Sequence, residues 1–203
     1  MLKRSFDIFF SVIGLILLSP VFLIMAIWIK CDSYGPVFYK QTRVGKNGKF
    51  FLLYKFRSMR VGSDKEGLLT VGEKEPRITR SGKFIRKFKL DEFPQLINVL
   101  RGEMSIVGPR PEVPKYVALY NEEQREALNI RPGISDWSSI RFSNENELLA
   151  QAENSEDFYI SEVMPEKLKM NLEYVRSNNF WIDLKIIFMT MKKIASKEKK
   201  FKR

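Results

Sequence analysis

The stretch IFFSVIGLILLSPVFLIMAIWI occupies residues 8–29 and holds 22 residues without a charge. A helix of this length reaches across the ~30 Å hydrocarbon core of a bilayer. A cleaved signal peptide is the first alternative, because Lys3 and Arg4 give the chain a basic start. The stretch runs on past the length of a signal h-region and has no A-x-A cleavage pattern, which favours a retained membrane helix.

Ser19 and Pro20 lie at the middle of this apolar stretch. A proline inside a helix removes a backbone hydrogen bond and kinks the helix. Each half would then hold about ten to twelve residues, or ~15–18 Å of helix, which is about half of the hydrocarbon thickness. Both flanks are basic, so the positive-inside rule places both ends in the cytoplasm. A re-entrant helix-break-helix satisfies both observations, and a transmembrane helix that tolerates its proline fits these residues equally well.

The composition of the 203 residues narrows the chemistry. Lys plus Arg outnumber Asp plus Glu by 35 to 24, and the net charge of +11 suggests nucleic acid, an anionic membrane surface or a phosphorylated substrate as partner. The absence of histidine excludes Ser-His-Asp triads, Cys-His dyads and His-ligated zinc. The lone Cys31 cannot form an internal disulfide. Catalysis, if present, must rest on carboxylates, Lys, Arg, Tyr or a hard cation such as Mg²⁺.

The residues after the apolar stretch predict a small α+β domain that is mostly helical. Two strand-like pieces joined by Asn47-Gly48 predict a β-hairpin. Apolar spacing predicts a helix over 93–101, with Gly102 as its C-cap. Residues 61–76 read as a loop. Further helices are predicted near 113–128, over 166–176 and over 180–195.

Asp91 and Glu92 stand side by side after a run of cations, in IRKFKLDEFPQL at residues 85–96. The ordinary explanation is structural, because Asp91 fits the N-cap of the 93–101 helix and acids at helix N-termini complement the dipole. The catalytic explanation is that a carboxylate beside several cations has a low pKa, stays ionised and can attack phosphorus. Mg²⁺ would reduce the repulsion between that carboxylate and a phosphate.

Arginines in rigid settings supply anion-binding groups around the acidic pair. The motif GPRP places Arg110 between Pro109 and Pro111, which limit its freedom and present its guanidinium with little entropy to lose. Arg131 precedes a Pro-Gly pair in a similar setting, and Arg86 lies just upstream of the acids. Phosphate is therefore the ligand that this region favours.

These stretches resemble the monotopic bacterial phosphoglycosyl transferases, the small polyprenol-phosphate sugar-phosphate transferases of glycan assembly. LDEFPQLINVLRGEMSIVGPRP at 90–111 is long and highly specific for this family. The resemblance runs from the N-terminus to about residue 134 and returns near the C-terminus. The other matching stretches are KRSFD at 3–7, LLSP at 17–20, GPVFYKQTRVG at 35–45, YKFRSM at 54–59, RPGI at 131–134 and FWIDLKII at 180–187.

The resemblance implies an activity, a mechanism and site residues. The family transfers a sugar phosphate from a UDP-sugar to a polyprenyl phosphate, usually undecaprenyl phosphate, and releases UMP. The residue matched by Asp91 is the nucleophile that carries a covalent phospho-sugar intermediate, and the residue matched by Glu92 completes the dyad. Mg²⁺ is required, and Asp91 and Glu92 are its predicted ligands. Arg86 and Arg110 come first among the predicted substrate-binding residues, which are Lys55, Arg57, Arg86, Pro109, Arg110, Pro111 and Arg131.

The resemblance also implies a membrane topology. The family's N-terminal helix is re-entrant and broken at the Ser-Pro matched by Ser19-Pro20. The prediction is a re-entrant membrane helix over 1–30 and a cytoplasmic catalytic domain over 31–203, on the cytoplasmic face of the bacterial inner membrane with both termini cytoplasmic. The aromatic-rich amphipathic stretch at 180–194 precedes a basic tail, which predicts interfacial contact with anionic lipids.

Two other functions stay open on the sequence. A membrane-tethered, non-enzymatic module for anionic lipid or nucleic acid would explain the charge and the anchor, but not the acidic pair. We therefore predict no nucleic-acid partner. A nucleotide-sugar glycosyltransferase would release UDP, and the two commonest phosphate-loop motifs are absent from the sequence. The segment 135–149 departs from the family pattern, so the sugar stays open, as does the formation of a homodimer.

Overall fold

A computed structural model describes residues 2–72 and 75–201 and shows a mostly helical chain with small sheets, which confirms the predicted α+β class. The strands are β1 Phe38–Val44, β2 Phe50–Phe56, β3 Ser105–Val107 and β4 Gly133–Ser135. The helices are α1 Leu2–Asp32, α2 Arg80–Lys87, α3 Gln95–Arg101, α4 Pro114–Val117, α5 Glu122–Arg125, α6 Trp137–Arg141, α7 Glu145–Ala150, α8 Ser155–Phe158, α9 Met164–Ser177 and α10 Phe180–Phe201. Single 3₁₀ turns lie at Lys46–Gly48, Ser63–Glu66, Leu90–Glu92 and Glu126–Asn129, and a π-helical turn lies at Tyr159–Val163.

Helix α1 is the long apolar helix expected from residues 8–29. Within the described residues, it alone has the length and composition to cross a membrane, and only 11% of its most apolar window is buried in the protein. The helix is continuous through Pro20, so the expected break is not a break in secondary structure. In a regular helix the amide of residue 20 would bond to the carbonyl of Ile16. Proline lacks that amide, and the Ser19 hydroxyl donates to the Ile16 carbonyl instead, at 2.7 Å.

The first turns of α1 are fastened to the rest of the chain. Arg4 donates to the carbonyl of Val99 at 2.6 Å, at the end of α3. Asp7 is buried and accepts from the Ile106 amide at 3.0 Å, in β3. Lys3 donates to Asp183 of α10 at 2.5 Å. The N-terminal end of α1 is therefore held against α3, β3 and α10.

The last turn of α1 is fastened as firmly. Asp32 accepts from the amide and the hydroxyl of Ser81 at the start of α2, each at 2.8 Å. The buried Arg57 donates to the carbonyls of Ser33 at 2.7 Å and Ile29 at 3.3 Å, which satisfies carbonyls that a helix end leaves free. Both ends of α1 thus contact the same polar domain, and the predicted boundary after residue 30 falls within the last turn of the helix.

The predicted hairpin is confirmed. Strands β1 and β2 pair antiparallel, with Tyr39 opposite Lys55. Asn47 and Gly48 in the connecting turn have φ of 56° and 73°, and this left-handed conformation is the one that Asn-Gly turns adopt. On β2, Phe56 packs with α1 and α2, and Leu53 packs with α3. These contacts fix the strand on both sides of Lys55.

Two glycines allow β3 and β4 to approach each other. The strands pair in parallel, with Ser105 opposite Gly133. A Cβ on Gly133 would lie 2.0 Å from the amide nitrogen of Gly108, and a Cβ on Gly108 would lie 2.5 Å from the carbonyl oxygen of Arg131. Neither position can hold a side chain without moving the backbone. The chain that follows Gly108 is therefore pressed against β4.

The helix predicted near 113–128 is wrong as a single element. The structure divides it into α4, α5 and the 3₁₀ turn Glu126–Asn129. Asn121 starts a new helix there, because its side chain accepts from the Gln124 amide and the Gln124 side chain accepts from the Asn121 amide. This reciprocal pair is a capping box. The helices predicted over 166–176 and 180–195 are confirmed as α9 and α10. Within the predicted loop over 61–76, the described residues 61–72 and 75–76 form no helix or strand apart from one 3₁₀ turn and a turn that precedes the isolated bridge at Ile78.

Candidate active site

Asp91 lies in the 3₁₀ turn Leu90–Glu92 that joins α2 to α3. Lys89 has a φ of 58°, and this left-handed residue turns the chain sharply before the acids. The helix-capping explanation of Asp91 is wrong, because Pro94 occupies the N-cap of α3 and no side chain caps that helix. Gly102 is confirmed as its C-cap, with a φ of 81°. Asp91 is only 7% exposed, so its burial needs another explanation.

One oxygen of the Asp91 carboxylate is buried without a hydrogen bond. Its Oδ1 atom has no hydrogen-bond partner among the described residues. Burial raises the pKa of Asp91, and the neighbouring Glu92 raises it further, while the charges of Lys55, Arg86 and Lys89 oppose the shift. The low pKa expected for Asp91 is therefore wrong, since desolvation outweighs the cations around it.

Glu92, in contrast, is paired with nearby cations. Arg110 donates to both of its oxygens, with Nη2–Oε1 at 2.6 Å and Nη1–Oε2 at 3.4 Å, and Lys55 Nζ lies 3.9 Å from Oε1. Burial alone would raise the pKa of Glu92, but the cations of Arg110, Lys55 and Lys89 hold it well below the usual range. The two adjacent acids thus differ, because Glu92 stays ionised in an ion pair and Asp91 carries a free oxygen.

Lys55 projects from β2 into the same cluster. Burial lowers the pKa of its amine to about 8, with Arg110 and Arg43 adding to the effect and Glu92 and Asp91 opposing it. Its charge is therefore present at neutral pH and is lost in mildly alkaline solution. The hairpin brings this cation to the acids from a point 36 residues earlier in the chain, counting from Lys55 to Asp91.

A rigid loop positions Arg110. The Pro109 carbonyl accepts from the Gly133 amide at 2.9 Å, and the Pro111 carbonyl accepts from Arg43 Nη1, also at 2.9 Å. Arg43 also pairs with Glu112, at 3.2 Å. Both prolines are buried. Sequence reasoning missed Arg43 and Glu112 as supports of this loop, although both lie inside or next to motifs that match the family.

Arg86 reaches the site from the last turn of α2. Its charge acts on the Asp91 carboxylate, and its Nη2 donates to the hydroxyl of Thr70 at 3.0 Å. Thr70 belongs to the described loop residues 61–72, and the Gly72 amide of this loop donates to the Asn146 carbonyl of α7 at 2.8 Å. Nothing in the sequence pointed to Thr70.

The structure places the two other predicted cations elsewhere. Arg57 holds the end of α1, and its Nη1 also donates to the Tyr34 carbonyl. Arg131 is exposed and its Nε donates to the Gly102 carbonyl at 2.8 Å. Their described hydrogen bonds do not reach Asp91 or Glu92. A substrate-binding role for Arg57 and Arg131 therefore stays a prediction without support from these contacts.

The acidic pair offers few ligands for a metal. Within the described residues, no group of three or more His, Cys, Asp or Glu side chains could hold an ion. Mg²⁺ is often bound by one or two carboxylates together with substrate phosphates. Asp91 fits that role better than Glu92, because both oxygens of Glu92 already face Arg110.

The arrangement suits covalent chemistry at phosphorus. A buried carboxylate with an unpaired oxygen is a candidate nucleophile. Lys55 and Arg86 act on it, and Arg110 contacts the adjacent Glu92, so positive charge is available for phosphate oxygens. No histidine is available for proton transfer. Attack by a carboxylate on a phosphoanhydride needs none.

Comparison with known proteins finds a family and several relatives. A family model described as bacterial sugar transferase matches residues 1–197. The chain is 40% identical over 198 residues to an undecaprenyl-phosphate glucose phosphotransferase of Komagataeibacter xylinus. It is 37% identical over 198 residues to a UDP-N-acetylgalactosamine-undecaprenyl-phosphate N-acetylgalactosaminephosphotransferase of Aeromonas hydrophila. It is also 37% identical over 197 residues to EpsL of Bacillus subtilis (strain 168), named an uncharacterized sugar transferase.

The relatives differ in length. The matched region covers 94% of this chain and 35% of the Komagataeibacter protein, and 96% of this chain and 44% of the Aeromonas protein. The chain therefore spans less than half of these two relatives. It covers 89% of the Bacillus protein, and that match includes 97% of this chain.

Proposed function

The chain belongs to the bacterial sugar transferase family, and on that premise we propose that it is a membrane phosphoglycosyl transferase. The proposed reaction moves a sugar 1-phosphate from a UDP-sugar to undecaprenyl phosphate, releases UMP, and begins the membrane stage of a bacterial glycoconjugate pathway. The names of the relatives support this donor class and this acceptor. They differ in the sugar, so the donor is one of several UDP-sugars.

The observation that carries the proposal is the unpaired Oδ1 of Asp91. A buried carboxylate without a partner destabilises the fold, since desolvation of a charge is compensated only by pairing. The neighbouring Glu92 shows that this region can compensate a carboxylate fully. Asp91 is therefore a group kept reactive within a charged and rigid setting, as a nucleophile is.

In the first half-reaction an oxygen of Asp91 attacks the phosphorus that carries the sugar. The new O–P bond forms as the phosphoanhydride bond breaks, and UMP leaves with the electron pair. The raised pKa of Asp91 accompanies a more basic carboxylate than an ordinary aspartate. No proton is transferred, which fits a chain without histidine.

In the second half-reaction an oxygen of undecaprenyl phosphate attacks the same phosphorus. The bond to Asp91 breaks, the carboxylate is regenerated, and the product is a polyprenyl diphosphate sugar. Arg110 and Lys55 neutralise phosphate oxygens in both steps. Glu92 holds these two cations in place through contacts at 2.6 Å and 3.9 Å.

The residues present fit the Mg²⁺ that the family resemblance implies. Asp91, together with the substrate phosphates, would hold the ion through hard oxygen ligands. When bound, Mg²⁺ supplies charge neutralisation at the phosphates and stabilises the leaving oxygens.

We also propose that α1 enters the membrane and returns without crossing it. A straight helix of 31 residues is ~46 Å long, and one that spans a bilayer would place its ends on opposite sides. Arg4 and Asp32, near the two ends, both bond to the polar domain. Ser19-Pro20 is the site at which the helix would bend, because the Ser19 hydroxyl satisfies the carbonyl that proline leaves free.

Helix α10 supports a position on the cytoplasmic face. Trp181, Phe188 and Met191 are 77%, 68% and 66% exposed, which leaves an apolar surface uncovered in the protein. Lys192 and Lys193 follow it. Exposed aromatic residues next to cations favour insertion at the headgroup level of a membrane with anionic lipids. This contact would bring the site to the lipid acceptor.

Product analysis tests the proposed reaction. The full chain in detergent is mixed with undecaprenyl phosphate, Mg²⁺ and either UDP-glucose, UDP-galactose or UDP-N-acetylgalactosamine. We expect UMP from at least one donor, with release reduced by about 10³-fold or more in Asp91→Asn. Asp157→Asn, at an exposed aspartate of α8, is the matched control and should retain the wild-type rate.

Other products would overturn the proposal. Release of UDP would indicate a glycosyltransferase. Full activity in Asp91→Asn would remove the nucleophile from the account. Absence of any nucleotide product across the donor panel would favour a tethered binding module.

A further inference from the structure

A second buried polar group without a partner lies one turn from Asp91. Gln95, in the first position of α3, is 1% exposed, and its Nε2 has no acceptor among the described residues. Six buried side-chain atoms in the described part of the chain lack a partner. Only Asp91 Oδ1 and Gln95 Nε2 among them lie on the same turn, and one is an acceptor while the other is a donor.

Backbone hydrogen bonds connect the turn that holds Asp91 to the helix that begins at Gln95. They run from the Phe93 amide to the Leu90 carbonyl and from the Leu96 amide to the Phe93 carbonyl, so the 3₁₀ turn Leu90–Glu92 continues directly into α3. Gln95 therefore follows Asp91 by about one turn. Both side chains are buried, and both the 3₁₀ turn and α3 pack on β2.

Asn98 is a buried amide of α3 whose role is structural. It lies one turn further along α3 and is also fully buried. Its Nδ2 donates to the Leu52 carbonyl at 2.7 Å, and its Oδ1 accepts from the Tyr54 amide at 3.0 Å. Asn98 therefore joins α3 to β2. The Gln95 amide nitrogen has no such task in the fold.

An amide buried without a partner destabilises a protein, and persists mainly where function requires it. We propose that Gln95 is a positioning residue that, in the substrate-loaded site, donates its Nε2–H to Oδ1 of Asp91 and so presents Oδ2 to the phosphorus. This inference rests on the proposed function. Oδ1 is the buried, unpaired oxygen of the carboxylate, so Oδ2 is the oxygen that this assignment gives to the substrate.

The chemistry stays balanced with this assignment. Oδ2 forms the bond to phosphorus while the bond to the UMP oxygen breaks and its electron pair leaves with UMP. Oδ1 becomes the carbonyl oxygen of an acyl phosphate and still accepts from Gln95. When the acceptor phosphate displaces Asp91, the electron pair returns to the carboxylate, and the hydrogen bond from Gln95 stabilises the charge on Oδ1. Gln95 itself gains and loses nothing.

Gln95→Met in the full-length chain tests the inference, because methionine keeps the length and the apolar volume but has no donor. The measurements are UMP release against UDP-sugar concentration and the melting temperature in the same detergent. We expect kcat to fall about ten- to a hundredfold, which corresponds to one hydrogen bond to a charged group. The KM for the UDP-sugar should stay within about threefold, because the donor acts on Asp91 and not on the substrate.

Stability separates positioning from a structural role. Removing an unpaired buried amide should leave the melting temperature unchanged or higher. Asn98→Met is the matched control and should lower the melting temperature while kcat of the folded protein stays near wild type. Ser11, on α1, is another buried donor without a partner among the described residues. Ser11→Ala is a second control and should leave kcat unchanged.

The outcomes distinguish this inference from the proposed function. If the wild-type chain releases UMP and Gln95→Met keeps its kcat, the role of Gln95 is wrong and the reaction stands. A lower melting temperature that accounts for the lost activity would also overturn the role. A loss of kcat in Ser11→Ala equal to that in Gln95→Met would show that the effect is not specific to Gln95 and would also overturn the role. No UMP from the wild type would overturn both.

Discussion

Replacing Arg110 with methionine removes the cation that contacts both oxygens of Glu92. The pair is close, with Nη2–Oε1 at 2.6 Å, and the side chains of Arg110 and Glu92 are only 28% and 12% exposed. Breaking a buried ion pair by removing one partner leaves an uncompensated charge and costs about 3–5 kcal/mol. Partial exposure of Arg110 and the remaining Lys55 at 3.9 Å reduce that cost. We therefore expect Arg110→Met to lower the free energy of unfolding by about 2–3 kcal/mol.

For a chain of this size, 1 kcal/mol corresponds to about 2–4 °C in melting temperature, so Arg110→Met should melt about 4–12 °C lower. Tryptophan fluorescence during heating in detergent provides the measurement. A double-mutant cycle with Glu92→Gln should show a coupling of about 1–3 kcal/mol, because the two changes remove one shared interaction. Arg176→Met is the control, since Arg176 and its partners Glu123 and Glu126 are exposed and the change should leave the melting temperature nearly unchanged.

The stability lost in Arg110→Met should depend on pH. The folded-state pKa of Glu92 lies below its ordinary value of about 4.3, so the ion pair contributes its full stability above that value and loses it as pH falls through the lowered pKa. In Arg110→Met the buried carboxyl can take up a proton in mild acid. The difference between variant and wild type should therefore be full at pH 7 and shrink towards pH 4. Additive effects in the cycle, or a variant as stable as the wild type at pH 7, would refute this reasoning.

Three further outcomes follow from the structure. Since the pKa of Lys55 is about 8, kcat/KM for the UDP-sugar should fall as pH rises above 8, and Lys55→Arg should move that fall to higher pH; a profile unchanged in the variant would exclude Lys55 as its cause. Arg57→Met should lower the melting temperature and leave KM within about twofold, because it frees carbonyls at the end of α1, whereas a raised KM with unchanged stability would support substrate binding by Arg57. Changing Ser19-Pro20 to Ala-Ala restores a backbone amide and should straighten α1 towards a full span, measured by labelling a cysteine at residue 2 in a Cys31-free background; unchanged topology would contradict the bend.

Features set by local chemistry were predictable from the sequence. Asn47-Gly48 predicted a hairpin because both residues accept the left-handed backbone of its turn. Gly102 ended α3 for the same reason. The start of a new helix at Asn121, within the stretch 113–128, could also have been predicted, because Asn and Gln three residues apart form a capping box. The prediction of a single helix there missed this signal.

Features set by tertiary contacts were not predictable. Cations near Asp91 in the sequence suggested a low pKa, and Arg86 and Lys89 do act on Asp91 in that direction. The strongest cation of the site, Arg110 on another loop, acts on Glu92 instead. Burial then reverses the shift at Asp91. Arg57 looked like a phosphate ligand within a family motif, and only the packing of α1 shows which carbonyls take its donors.

The most direct test of the account is the mass of the full chain after mixing with Mg²⁺ and the active UDP-sugar, without lipid acceptor. The proposed covalent mechanism predicts an added mass of one sugar phosphate, located on Asp91. This mass should disappear when undecaprenyl phosphate is supplied and should be absent from Asp91→Asn. Release of UMP without any adduct, or an adduct that persists in Asp91→Asn, would contradict it.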